Sequence, residues 1–344
     1  MTKRHALGHL LAAIPPGVTR SLRLAHRGKY LTVLCYHRIL ERGADFPFDD
    51  DLVSASPAQF ESELRFIARH WRTIDFRMLR DHLAREGRFP DRALIITFDD
   101  GYLDNFEVAY PLLRKYGLPA VMFVTAGYMG ARRLFWWDRL AYVAKTASKR
   151  SASIEEPIRL AIDLDSFPDR QAAARHLIHV AKTLPENDKE LFIRRLAASL
   201  EVEIEESRFA TTMSWDNLRE MSAGGIEIGA HSISHPIFSN IDADLLAHEV
   251  SQSKKLIEKE LGREVISFGS PGRGRIPAEE KARFERTLGD LVISSGYSFS
   301  TMYQWGLMYE NEFDPFRIRR IGIERYDTPP VFRAKLSFPE LMPY

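Results

Sequence analysis

The sequence predicts an α/β fold: a mostly parallel sheet covered by helices and closed, wholly or in part, into a barrel of about seven to eight strands, with a helical insertion. Three observations carry that expectation. Short apolar runs recur along the 344 residues, segments of helical period separate them, and one stretch between two of the runs is too long and too helical for a loop.

Taken in order, residues 1–29 read as an N-terminal basic helical segment. Their apolar part is short, interrupted by His9 and closed by Pro15 and Pro16, so it lacks the form of a secretory signal. With Arg20, Arg23, Arg27 and Lys29 behind it, the segment suits either a solvated helix or one lying on an anionic membrane surface. No stretch approaches the ~20 apolar residues of a membrane span. A cytoplasmic location with peripheral membrane contact is the expectation.

The strand candidates are YLTVLCYH (30–37), RTIDF (72–76), ALIITFDD (93–100), AVMFVTAG (120–127), GIEIGAHS (225–232), VISFGSP (265–271), YSFSTMY (297–303) and FRIRRIGI (316–323). Between them, SPAQFESELRFIARH offers Ser56 as a cap, Pro57 in the first turn, and Phe60, Leu64 and Ile67 on one face. NFEVAYPLLRKYG, SWDNLREMSAGG and DADLLAHEVSQSKKLIEKELG follow, the last two closed by glycines suited to a left-handed cap. Residues 30–323 therefore form one barrel domain, the helical insertion occupies about 130–213 as a wall or lid of the site, and 324–344 is a C-terminal tail.

Composition narrows the function. Lysine plus arginine number 48 against 47 acidic residues, a net charge of +1 that gives no broad footprint for nucleic acid. The single cysteine, Cys35, sits in an apolar run as a small buried hydrophobe, so no intrachain disulfide can form.

Polar residues at the C-terminal ends of barrel strands are the candidates for chemistry. Three strands end that way: VLCYH in His37, IITFDD in Asp99 and Asp100, and IEIGAHSISH in His231 and then His235. Pro236 disfavours a helix at His235, so the pair belongs to a turn over the barrel mouth. Two imidazoles and a carboxylate make a facial set for Zn²⁺ or another divalent metal with open positions. Two adjacent aspartates need compensation in a low-dielectric mouth, and a dication provides it. One carboxylate then ligates while its neighbour is free to take a proton.

TFDDGY and HSISHP resemble the first two signature motifs of the polysaccharide deacetylase family, the nodulation-protein-B homology domain of carbohydrate esterase family 4. The similarity extends through YHRI, DNFEVAYPLLRKYGLPAVMFVT and GGIEIGAHSISHP, from about residue 30 to 323. It implies a distorted (β/α) barrel that removes N-acetyl groups from amino sugars, with Zn²⁺ as the expected metal. Residue by residue, it implies Asp99 as general base and Asp100, His231 and His235 as ligands.

Two departures stand beside the match. The third motif is replaced by FGSPGRGR (268–275), with Ser270 and Gly272 where an aromatic is expected, so the arginine that orients the base must be sought in Arg273, Arg275 or Arg320. The late histidine is absent, since none follows His248, and His37 becomes the candidate general acid because a YH strand end occurs in members with a permuted motif order. Pro271, Arg273, Arg320, Trp136 and Trp137 are the candidate substrate contacts, the tryptophans by stacking on a sugar ring. The expected function is metal-dependent de-N-acetylation of a glycan, glycan precursor or oligosaccharide. The alternatives are a catalytically weakened glycan-binding member and a deacylase or deformylase of a lipid-linked sugar.

Overall fold

A computed structural model describes residues 3–272, 274 and 276–342. Its central element is a ring of seven parallel strands: β1 (Tyr30–Tyr36), β2 (Ala93–Phe98), β3 (Val121–Val124), β4 (Glu227–Ala230), β5 (Ser267–Gly269), β6 (Phe299–Trp305) and β7 (Ile318–Gly322). The order runs β1-β7-β6-β5-β4-β3-β2, and pairing of β1 with β2, from Thr32 on Leu94 to Tyr36 on Phe98, closes it. The RTIDF candidate forms only the two-residue strand Arg72–Thr73, which pairs with β2 outside the ring. Met308–Tyr309 adds antiparallel to β1, also outside it.

Strands covered on both faces read as unbroken apolar runs because either side chain direction meets protein. The period of two still sorts them. Val33, Ile95, Val121, Phe123, Ile266, Phe299 and Ile318 cluster inside the barrel, while Leu34, Tyr36, Ile96, Phe98 and Ile321 pack under the helices. Phe123 fills the centre. A Cβ added at Gly229 or Gly269 would come within 2.6 or 2.7 Å of its ring, so the adjoining strands carry glycine there.

The surrounding helices start where their caps predict. Ser56 accepts a hydrogen bond from the Gln59 amide at Pro57–His70, and Ser214 forms a capping box with Asn217 at Trp215–Ala223. The stretch between β3 and Trp215 contains three helices, α1 (Trp136–Thr146), α2 (Arg170–Ala181) and α3 (Glu186–Ser199). It also holds an antiparallel hairpin, Ser151–Ile154 with Leu160–Asp163, that the helical reading did not include. Phe135, Trp137, Leu177 and Phe192 join the main core, so this insertion is packed on the barrel. Residues read as a C-terminal tail form the helix Pro329–Ser337, whose Phe332 and Leu336 enter the same core. The N-terminal helix Lys3–Ala12 packs Leu11 against Val331, Ala334 and Met342. No helix is long and apolar enough to cross a membrane among the described residues.

Candidate active site

Continuing the inward register of β2 past Ile95 and Thr97 puts Asp99 at the barrel mouth, where its amide donates to the Tyr36 carbonyl at 2.9 Å. Asp100 follows at φ +76° and Gly101 at +87°, a left-handed step that turns the Asp100 carboxylate aside from Asp99. Gly101 has no alternative here, because a Cβ would lie 2.8 Å from the Met129 methyl group.

Across the mouth, β4 delivers His231, whose amide donates to the Val124 carbonyl at 2.9 Å. The turn predicted from Pro236 is present, with Ser232 at φ +66° and His235 at +54°. Glu249, buried on the helix Ala243–Leu261, accepts the Ile233 and Ser234 amides at 2.7 and 2.9 Å and fastens that turn. Sequence reading missed Glu249. Its only signal is an acid among Leu246, Val250 and Ile257 on the helix face that packs inward.

The donor atoms converge. His231 Nε2 lies 3.5 Å and His235 Nε2 3.4 Å from the same Asp100 oxygen. His231 Nδ1 is 2.6 Å from the Gly269 carbonyl, which can only accept, so the ring proton sits on Nδ1 and Nε2 presents a lone pair. A buried carboxylate oxygen thus faces an imidazole lone pair. The separations are too long for hydrogen bonds, yet match the edges of a tetrahedron whose centre is about 2.1 Å from each ligand. The three residues fit a divalent cation. In its absence burial lowers the His231 pKa to about 4, drives that of His235 well below the usual range, and raises that of Asp100, with the Asp99 charge adding to the last. A bound dication reverses each preference.

Asp99 is held differently. Burial raises its pKa, but the Arg320 charge, His231, the Arg320 hydrogen bond and His37 together outweigh burial, and the net value falls well below the usual carboxylate range. Arg320 Nη1 donates to Asp99 Oδ1 at 2.6 Å with both side chains nearly dry. It shares the inward register of Ile318 on β7, whereas Arg319 points out to Glu312 at 3.0 Å. Arg320 therefore contacts Asp99, in the position sought for the orienting arginine. Arg273 and Arg275 lie outside the described residues. Pro271 is buried just beyond β5.

His37 and Cys35 stand beside Asp99, with the Cys35 sulfur, an Asp99 oxygen and a His37 ring nitrogen within 4.8 Å of one another. Cys35 donates to Asp99 Oδ2 at 3.4 Å, a contact the reading of it as a plain hydrophobe missed. Ser54 accepts the His37 amide at 2.9 Å and Asn105 donates to its carbonyl at 2.7 Å, fixing the backbone. Burial lowers the His37 pKa against the opposing pull of Asp99.

The tryptophans correct an expectation. Trp137 stacks on Phe135 at 4.6 Å, meets His235 edge-on at 4.6 Å, and donates Nε1 to the Tyr102 hydroxyl at 2.8 Å. Trp136 is buried beneath the Lys189 ammonium, 4.5 Å from its ring centroid. Protein already covers these faces, so they form the site's wall and offer no stacking platform for a sugar.

The sequence matches the polysaccharide deacetylase family over residues 86–156 and 174–283, more than half of the chain. The chain belongs to that family. Among individual members, it is 38% identical over 90 residues to the poly-beta-1,6-N-acetyl-D-glucosamine N-deacetylase of Staphylococcus aureus (strain MSSA476), covering 26% of this chain and 30% of that protein. The match thus spans under a third of the relative's length. Two solved structures share the fold. IcaB from Ammonifex degensii superposes with a TM-score of 0.55 at 19% identity over 90% of this chain and 98% of its own. The Streptococcus pyogenes deacetylase PplD, in complex with acetate, gives 0.55 at 16% identity over 88% and 95%.

Proposed function

We propose that this chain is a metal-dependent hydrolase that removes N-acetyl groups from an amino sugar in a glycan, a glycan precursor or an oligosaccharide. The observation that carries the reading is the buried convergence of Asp100, His231 and His235 lone pairs beside an aspartate kept anionic by Arg320. Zn²⁺ is the metal best suited to two imidazoles and one carboxylate with positions left open. Such an ion supplies Lewis acidity toward the acetamide carbonyl and lowers the pKa of coordinated water.

The chain's own residues do the rest. Asp99 stays ionised at neutral pH and its oxygens face the same mouth, so it takes the proton of the attacking water. Arg320 fixes the orientation of that carboxylate through a charge-assisted bond. His37, beside Asp99, passes to the leaving nitrogen the proton that Asp99 takes from the water, since its lowered pKa leaves the imidazole neutral until it receives one. The weakened-binder alternative rested on the irregular third motif and the missing late histidine, and the contact of Arg320 with Asp99 speaks against the first of these. At the N-terminus, exposed Leu10, Val18 and Leu24 near Arg20 and Lys29 support peripheral contact with an anionic membrane surface.

The test is metal content together with acetate release from N-acetylglucosamine oligomers, β-1,6-linked ones first, and formate release from N-formyl analogues. Asp99→Asn should keep the metal and lose roughly 10²-fold or more in rate. Asp100→Asn should lose both. Metal retained in Asp100→Asn, or full acetate release by Asp99→Asn, would overturn the assignment.

A further inference from the structure

Side chains of one face recur every second residue along β1 and β2, and the pairing of Cys35 with Thr97 and Tyr36 with Phe98 continues to set His37 against Asp99. Cys35, His37 and Asp99 therefore meet at one edge of the barrel mouth, beside Asp100, His231 and His235 but separate from them. Their donor atoms converge as well, one from each lying within 4.8 Å of the other two. Cys35 Sγ and Asp99 Oδ2 are 3.4 Å apart, close to the edge of about 3.6 Å that a tetrahedral ion bound to one sulfur and one oxygen requires. Arg320 occupies the other oxygen, Oδ1, and leaves Oδ2 to this cluster. The His37 ring makes no hydrogen bond among the described residues, so it is free to turn a nitrogen toward that edge. A cavity of about 330 Å³ opens at Cys35 and His37 and gives an ion a path from solvent.

We propose that Cys35, His37 and Asp99 form a second, inhibitory metal site for a thiolate-binding transition ion such as Zn²⁺. One sulfur, one nitrogen and one oxygen select such an ion over Mg²⁺ or Ca²⁺. On binding, the Cys35 thiol releases its proton to solvent through the cavity, and the thiolate, a His37 nitrogen and Asp99 Oδ2 bond the ion. The inhibitory effect rests on the de-N-acetylase reading: the lone pairs that take and pass the proton of the attacking water are withdrawn together. The second ion binds more weakly than the first. Asp99 Oδ2 is 3.9 Å from His231 Nε2, so the two cations would be neighbours that repel, and Arg320 adds its charge. The enzyme is thus active with one ion and silenced by excess.

The experiment is titration of the metal-free protein with Co²⁺, followed by absorption. The first site has no sulfur ligand, so its filling should give visible d–d bands alone. Filling of the second should add the near-ultraviolet sulfur-to-cobalt charge-transfer band, which only Cys35, the single cysteine, can supply. Cys35→Ala should lose that band and keep the visible ones. His37→Gln, which retains the thiol, should shift the midpoint of the band to higher cobalt by roughly tenfold or more, at least what a change outside the ligand shell costs. Acetate release with Zn²⁺ should peak near one equivalent and fall roughly 10²-fold as the second site fills, whereas Cys35→Ala, compared with its own one-equivalent rate, should stay flat. No charge-transfer band with several equivalents of cobalt, a band unmoved in His37→Gln, or equal inhibition of Cys35→Ala by excess Zn²⁺ would overturn the proposal. The visible bands and acetate release at one equivalent test the hydrolase reading separately, so its failure is distinguishable from that of the second site.

Discussion

Replacing Arg320 by methionine would strand the Asp99 carboxylate while keeping much of the stem's volume. The two side chains are 3% and 4% exposed and meet at 2.6 Å, so little water stands ready to replace the guanidinium. Removing one partner of a buried pair costs roughly 3–5 kcal/mol. At about 2.1 cal/mol/K of unfolding entropy per residue, this chain loses about 0.7 kcal/mol per degree near its midpoint, so Tm should fall by roughly 4–7 °C. The pH dependence gives the sharper test. In wild type the Asp99 pKa is depressed below its unfolded value, so its contribution is complete above about pH 4 and is lost only as pH falls through the lower folded value. Without Arg320, burial dominates and lifts the folded value above the unfolded one. The variant then holds a carboxyl that prefers its proton. Its deficit should be largest at neutral pH and shrink as pH falls toward about 4. The assay is Tm of both proteins, stripped of metal by chelator, across about pH 4.5 to 8. A deficit that is flat over this range, or below about 1 °C, would refute the claim that Arg320 holds a dry, ionised Asp99.

Gly269→Ala places a Cβ 2.7 Å from Phe123 Cγ and 3.1 Å from His231 Nδ1, so His231 must shift from the carbonyl that sets its tautomer. Metal affinity by competitive titration should fall roughly 10- to 100-fold, and unchanged affinity would mean that this carbonyl does not orient the ligand. Glu227 is buried with its pKa raised from 4.5 to about 7, by burial first and then by Asp75. The folded state therefore binds the extra proton, and wild-type stability should decline as pH rises between those two values. Glu227→Gln can still accept the Phe76 and Arg77 amides and meet Ser267, so it should flatten that decline in thermal melts, and a slope identical to wild type would assign it to another group. Leu10→Glu with Leu24→Glu, both at exposed positions, should abolish co-sedimentation with anionic vesicles, whereas a wild type that does not co-sediment removes the membrane reading.

The fold was legible because its signals are local. Seven doubly buried strands each write an apolar run, and Ser56, Ser214 and Gly262 mark helix ends with side chains or backbone freedom that have few other uses. The ring itself was less so, since RTIDF has a strand's composition but pairs for only two residues. The hairpin at 151–163 was hidden because a short alternation in a polar stretch carries little hydrophobic contrast. At the site, Asp99, Asp100, His231 and His235 stood out as polar residues ending apolar strands. Arg320 did not. Adjacent arginines in FRIRRIGI are equivalent until β7 acquires a register, and one residue of slip would exchange Arg319 for Arg320. The adjacent tryptophans posed the opposite problem, because an aromatic ring is as well suited to a core as to a sugar and only burial decides.

That burial explains how the inserted helix α1 can belong to the site through packing. Tyr102, two residues beyond Asp100, donates its hydroxyl to Asp138 of α1 at 2.9 Å and accepts the Trp137 indole proton from the same helix. Arg38 lies over the Tyr102 ring, 4.3 Å from its centroid, and binds Asp104 at 2.9 Å, tying the YHRI strand end to the segment after the aspartate pair. Trp137 in turn packs edge-on against His235. The bonds of Tyr102 to Asp138 and Trp137 are short, buried and shared between the barrel and the inserted helix, so displacement of α1 would leave the Tyr102 hydroxyl and the Asp138 carboxylate unpaired in a dry interior, a cost of roughly 1–3 kcal/mol per group. His231 and His235 are consequently held from two sides, by Glu249 and Gly269 on the barrel side and by Trp137 on the other. Preorganisation of that kind matters most for His235, because its left-handed backbone at φ +54° costs energy that only surrounding contacts can offset. The insertion thus acts on the candidate centre through packing.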